Sequence, residues 1–89
     1  MAAPTVTMYT GSFCPYCDRA RALLDKKGIA FTEIDVEADA AHRTEMMTRS
    51  GRRTIPQIFI GDRHVGGSDE LRDLDRSGAL DALLKDSAG

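Results

Sequence analysis

The residues in this chain best equipped for chemistry are Cys14 and Cys17, its only two cysteines, set three apart in Thr10-Gly11-Ser12-Phe13-Cys14-Pro15-Tyr16-Cys17. Two thiols at this spacing can form a structural disulfide, supply half of a metal site, or cycle between dithiol and disulfide. A structural bridge would close too short a loop to stabilise much, and secreted domains that rely on disulfides are usually cysteine-dense. A zinc site needs two further ligands, and the candidates His42 and His64 stand at spacings unlike any finger pattern. The redox reading is therefore favoured. His42, on a polar helix face, and His64, on an edge strand, are themselves expected to be solvated or hairpin residues, with proton transfer as the alternative role.

Local backbone rules explain why this dithiol would be reactive. The run follows a strand-like segment and opens a helix-like one, so Cys14 takes the N-cap position and Pro15 the first helical position, where a missing N–H costs nothing. A sulfur at an N-cap can accept from the N–H groups of Tyr16 and Cys17, and the positive end of the helix dipole favours an anion there. Thiols so placed have pKa values lowered from about 8.5 into the range of about 3.5–7.5. Cys14 is therefore expected to be the nucleophilic thiolate and Cys17, on the same helix face, the less exposed resolving thiol.

The elements around the dithiol alternate in type. Thr5 to Thr10 is β-branched and aromatic, short enough for a central strand. Pro15 to Lys27 reads as a helix, with Ala20, Leu23, Leu24 and the Lys27 stem along one stripe and Gly28 as its stop. Ala30 to Val36 is a second strand, and the tight joints imply a right-handed parallel crossover. Ala40 to Ser50 is a second helix, capped by Asp39 and ended by Gly51, with Ala40, Met46, Met47 and Ser50 inward. Gln57 to Ile60 and Arg63 to Gly66 form a hairpin about Gly61-Asp62. Ser68 is the expected N-cap of a helix to Arg76, and a last helix spans Ala79 to Asp86, with a frayed Ser87-Ala88-Gly89 end.

Length and charge narrow the field further. Eighty-nine residues, 42% apolar and 29% charged, suit a single domain with one core. A net charge of −2 points neither to nucleic acid nor to an anionic membrane. The start Met-Ala-Ala-Pro-Thr resembles no secretory leader, and no apolar run approaches the roughly 18 residues of a membrane span, so a reducing, cytoplasmic setting and a monomer are expected.

Cys14-Pro15-Tyr16-Cys17 at a helix start, Thr54-Ile55-Pro56 at the head of the third strand, and Gly66-Gly67-Ser68-Asp69 at a later helix start together resemble a dithiol glutaredoxin. The resemblance covers essentially the whole chain. It implies the α/β thioredoxin fold: a four-stranded mixed sheet in the order βαβαββα plus a short C-terminal helix, with helices on both faces. It also implies a cis Pro56 beside the cysteines. The Ile55 backbone, with Thr54, would pair strand-fashion with the cysteinyl part of glutathione. Gly67, Ser68 and Asp69 would receive its γ-glutamyl end at a helix N-terminus, Arg43 its glycine carboxylate, and Tyr16 would lie along the peptide. The Lys that the family commonly carries three residues before the nucleophile is Gly11 here, leaving Arg52 and Arg53 as nearby cations.

The activity so implied is glutathione-dependent reduction of glutathione mixed disulfides and protein disulfides, with no bound cofactor and glutathione as co-substrate. Partners would be glutathione and glutathionylated or disulfide-containing proteins. Two alternatives remain: a redoxin reduced directly by thioredoxin reductase, and a carrier of a glutathione-ligated iron–sulfur cluster, the latter disfavoured by the stiff Pro15.

Overall fold

The computed structural model describes residues 5–88, with side chains through residue 84. Four strands, β1 (Val6–Thr10), β2 (Thr32–Asp35), β3 (Gln57–Ile60) and β4 (Arg63–Gly66), form one sheet in the order β2-β1-β3-β4. The helices are α1 (Pro15–Lys26), α2 (Ala40–Ser50), α3 (Ser68–Arg76) and α4 (Ala79–Ala88). β1 pairs parallel with β2, Tyr9 opposite Ile34, and antiparallel with β3, Val6 opposite Ile60. The β3–β4 hairpin turns at Gly61 with φ 59°, and its register slips between Ile58 and Phe59. The expected mixed sheet is thus the observed one, with β1 inside it.

Period-two patterning sends the central strands to two separate cores. Val6 and Met8 of β1 and Ile58 and Ile60 of β3 pack against Ala20, Leu24, Leu71 and Leu80 from α1, α3 and α4. Tyr9 and Phe59 face the other way and pack with Val36 and Met46 beneath α2. All four residues of β3 are buried, as expected of a strand covered on both faces. Fully burying a side chain such as Leu24 contributes about 1.5–3 kcal/mol. These two cores fix the C-terminal end of β1, from which the cysteine loop springs.

Several element ends differ from those expected. β2 begins at Thr32, two residues late, because Ala30 and Phe31 are spent turning out of α1. Of the residues expected inward on α2, Ala40 is exposed, whereas Met46 is buried and anchors the helix. The Lys27 amine is not simply solvated: it pairs with Asp75 at 2.6 Å and Asp81 at 3.1 Å, tying the end of α1 to α3 and α4. Ser87 and Ala88 continue α4, and Gly89, in the end expected to fray, lies outside the described residues. No helix among the described residues is long and apolar enough to cross a membrane.

Candidate active site

Cys14 is the N-cap of α1, with extended backbone (φ −116°, ψ 96°), and Pro15 follows as the first helical residue. The Cys17 N–H donates to Cys14 Sγ at 3.1 Å; of the two amides expected to reach the sulfur, the inner one does so. The two cysteines are joined as a disulfide, their Cα atoms 5.2 Å apart. Cys17 is 1% exposed, whereas Cys14 is half-buried. An incoming sulfur can therefore reach the outer cysteine and not the inner one. The inner thiol can reach only a partner already attached to Cys14.

The loop before Cys14 is held from β2. The Ser12 N–H donates to Glu37 Oε2 at 2.7 Å, and the Glu37 N–H donates to Asp35 Oδ1 at 2.8 Å. Phe13, at φ 52°, projects wholly into solvent. Gly11 is tightly enclosed: a Cβ there would lie 2.7 Å from Ile55 Cδ1 and closer still to the Glu37 carboxylate.

Beside the dithiol runs the segment Thr54-Ile55-Pro56, whose Ile55–Pro56 peptide bond is cis. Cys14 Sγ lies 3.9 Å from the Ile55 carbonyl oxygen. Ile55 precedes β3, and the β1–β3 ladder ends at Gln57, so Ile55 lies outside it. Across from it stands the start of α3. A Cβ on Gly67 would come 3.4 Å from the Pro56 carbonyl oxygen, so the glycine sets how closely helix and loop approach. Between them lies a cleft of about 320 Å³ lined by Tyr16, Arg52, Thr54, Ile55, Pro56, Gln57, Gly67, Ser68, Asp69 and Glu70. That volume falls within the range of about 300–1,000 Å³ common for small-molecule sites.

The cleft carries both signs of charge. Arg52 donates to Glu70 Oε1 at 2.8 Å, and the same oxygen accepts the Gly67 N–H at 2.9 Å. The Gly67 amide first and the Arg52 guanidinium second hold the Glu70 carboxyl below its ordinary value. The first intrahelical bond of α3 here is Leu71 N–H to Gly67 O at 3.0 Å, so the Ser68 and Asp69 N–H groups precede it in the first turn. Deeper in, Gln57 is fully buried; its Nε2 donates to Thr54 O at 3.0 Å and Thr54 Oγ1 at 3.1 Å. Its Oε1 meets His64 Nε2 at 2.6 Å.

The structure thus brings Tyr16, Thr54, Ile55, Pro56, Gly67, Ser68 and Asp69 to one cleft next to Cys14. Arg43 is exposed on α2 and does not line this cleft; the cation that does is Arg52. The N-cap of α3 is Gly67 rather than Ser68, because Glu70 reaches back to the Gly67 N–H and makes the capping bond from inside the helix. A Glu three residues after Gly67 was the available signal. His64 lies on the hairpin, as expected, but it is half-buried rather than solvated: it is bonded to Gln57 and stacked on Phe59 with ring centroids 4.9 Å apart. Gln57 was the other residue passed over, although a polar side chain opening an otherwise apolar strand marked it.

A model of the glutaredoxin family matches residues 6–65. The chain belongs to the glutaredoxin family. It is 55% identical over 80 residues to glutaredoxin 3 of Escherichia coli K12, a match covering 90% of this chain and 96% of that relative. The solution structure of a Brucella melitensis glutaredoxin is 54% identical and superposes with a TM-score of 0.83, covering 96% of this chain and 92% of that one. A buckwheat glutaredoxin solved as its glutathione complex is 28% identical with a TM-score of 0.84, covering 93% of this chain and 78% of that one. A glutaredoxin with paired cysteines at a helix mouth is a thiol–disulfide oxidoreductase, and in this member Gly11 and the Glu37 carboxylate occupy the flank where the family commonly sets a lysine.

Proposed function

We propose that this glutaredoxin reduces glutathione mixed disulfides and protein disulfides with glutathione as co-substrate and no bound cofactor. The observation that carries the reading is the polar cleft beside Cys14, with backbone groups on one wall and a helix N-terminus on the other. The Ile55 backbone would pair with the cysteinyl residue and lay its sulfur against Cys14. The Ser68 and Asp69 amides would take the γ-glutamyl carboxylate and the Asp69 side chain the ammonium. Tyr16 would flank the peptide. Arg52, rather than Arg43, is the cation within this cleft for the glycine carboxylate. The buckwheat relative solved with glutathione supports this ligand class.

With a glutathione mixed disulfide, the Cys14 thiolate attacks the glutathione sulfur, forming a Cys14–glutathione disulfide and releasing the substrate as a thiolate that takes up a proton. A second glutathione thiolate attacks that adduct, yielding oxidised glutathione and restoring the Cys14 thiolate. With a protein disulfide, Cys14 forms the mixed disulfide and the Cys17 thiolate displaces the protein from it. Two glutathiones then reduce the Cys14–Cys17 bridge. The helix-mouth position of Cys14 favours its ionised form in each cycle.

The test is an NADPH-coupled assay with a glutathionylated peptide. Turnover should require glutathione together with glutathione reductase; turnover supported by thioredoxin reductase alone would overturn the reading. Cys17→Ser should retain reduction of the glutathionylated peptide and lose reduction of a protein disulfide. Equal loss of both would refute the roles assigned to the two sulfurs.

A further inference from the structure

We infer that His64, on the edge strand β4, is a positioning residue for the glutathione cleft, acting through Gln57 to orient Thr54. This rests on the proposed glutathione reading and adds to it a residue that touches neither cysteine nor ligand. The donor and acceptor capacity of each group sets the direction of this chain of bonds. The Gln57 side chain is fully buried and faces three partners: the Thr54 carbonyl oxygen, the Thr54 hydroxyl and His64 Nε2. The Thr54 carbonyl can only accept, so the end of the amide facing it must be the NH₂, and turning the amide over would set two oxygens against each other. Both amide hydrogens are then committed to Thr54, and Oε1 is left facing His64. His64 must therefore donate from Nε2.

The surroundings hold the ring in that state. Burial, reinforced by the Arg52 charge and opposed by Glu70, lowers the His64 pKa, so the imidazole is neutral at neutral pH. Its plane lies over Phe59, tilted by 32°, and the Arg49 guanidinium stands 4.1 Å from the centre of the Phe59 ring. At the far end of the chain of bonds, the Thr54 hydroxyl accepts from Gln57, so its own hydrogen remains to donate into the cleft. His64 thus fixes which way the Gln57 amide points, and the amide fixes Thr54 as a donor toward the ligand with its carbonyl held back. A lost orienting bond should weaken ligand binding without altering the sulfur chemistry.

Two measurements decide it. Nitrogen-15 NMR of the full chain at neutral pH should show His64 protonated at Nε2; an Nδ1-protonated ring overturns the inference. Steady-state kinetics with a glutathionylated peptide should show His64→Phe, which keeps the stacking and lacks the donor, raising KM about three- to tenfold with kcat unchanged. His64→Gln, which offers an N–H at similar reach, should restore KM. Reduction of the Cys14–Cys17 bridge by dithiothreitol should proceed at the wild-type rate in both variants. A glutathione-dependent wild type whose KM is unmoved by His64→Phe, or is not rescued by His64→Gln, overturns this inference alone. A wild type indifferent to glutathione overturns the substrate reading and this inference with it.

Discussion

Two hollows among the described residues lie at opposite ends of β1, and they differ in kind. The one by Cys14, about 320 Å³, is lined by backbone amides, an Arg–Glu pair and a buried amide side chain. The other, about 580 Å³, is lined by Thr5, Val6, Gly28, Ile29, Ala30, Phe31, Thr32 and Leu84, with neither cysteine nor any charged side chain. The larger hollow is the less polar, with no charged residue in its lining. It forms where α1 turns into β2, whereas the smaller one forms beside Cys14, where the first-turn amides of α3 and opposite charges converge. Convergent polar groups, not volume, mark a site.

The contrast can be broken by experiment. The largest effect is expected from Cys14→Ser, which should reduce disulfide exchange at the smaller hollow to background in the coupled assay while leaving the thermal unfolding midpoint of the reduced protein nearly unchanged. Substituting Asp69→Ala should come next, raising KM for a glutathionylated peptide about 10- to 100-fold, as expected for losing a charged hydrogen bond. An unchanged KM would separate the α3 terminus from the ligand.

A smaller effect belongs to pH. The Glu70 carboxyl is held below its ordinary value of 4.5 by the Gly67 amide and by Arg52, so its stabilising contribution is fully present above that pH and is lost as pH falls through the lowered folded value. Wild type should therefore lose more thermal stability than Glu70→Gln between pH 6 and pH 3, about the range over which carboxylates titrate. Half-exposed partners keep the difference modest. The smallest effect is at the other hollow: Ala30→Leu adds apolar bulk to its wall and should leave KM and kcat as in wild type. A changed rate there would show that the two hollows communicate.

Much of the architecture could be read along the chain because its causes are local. The N-cap at Cys14 with Pro15 behind it, the helix stripe Ala20-Leu23-Leu24, the stop at Gly51 and the Gly61-Asp62 hairpin each depend on residues within a turn or two of one another. That Arg43 does not line the cleft was not readable, for the opposite reason. Which cation lies in the cleft depends on how α2 and the Gly51–Thr54 turn sit against α3, and the structure puts Arg52 there, opposite Glu70.

Residue order alone was enough for the paired thiols, the helix that carries them, the alternation of strands and helices, and the resemblance to glutaredoxins. It took the packed molecule to show that Arg52 and Glu70 pair across the cleft, that Glu37 flanks Gly11, and that His64 reaches Thr54 through Gln57. The division follows from range. Capping, turns and periodicity act between neighbours, so residue identity and spacing suffice to reveal them. Burial and the partners of a buried amide depend on which distant segments are packed together, and that is settled only when the two faces of the sheet are closed.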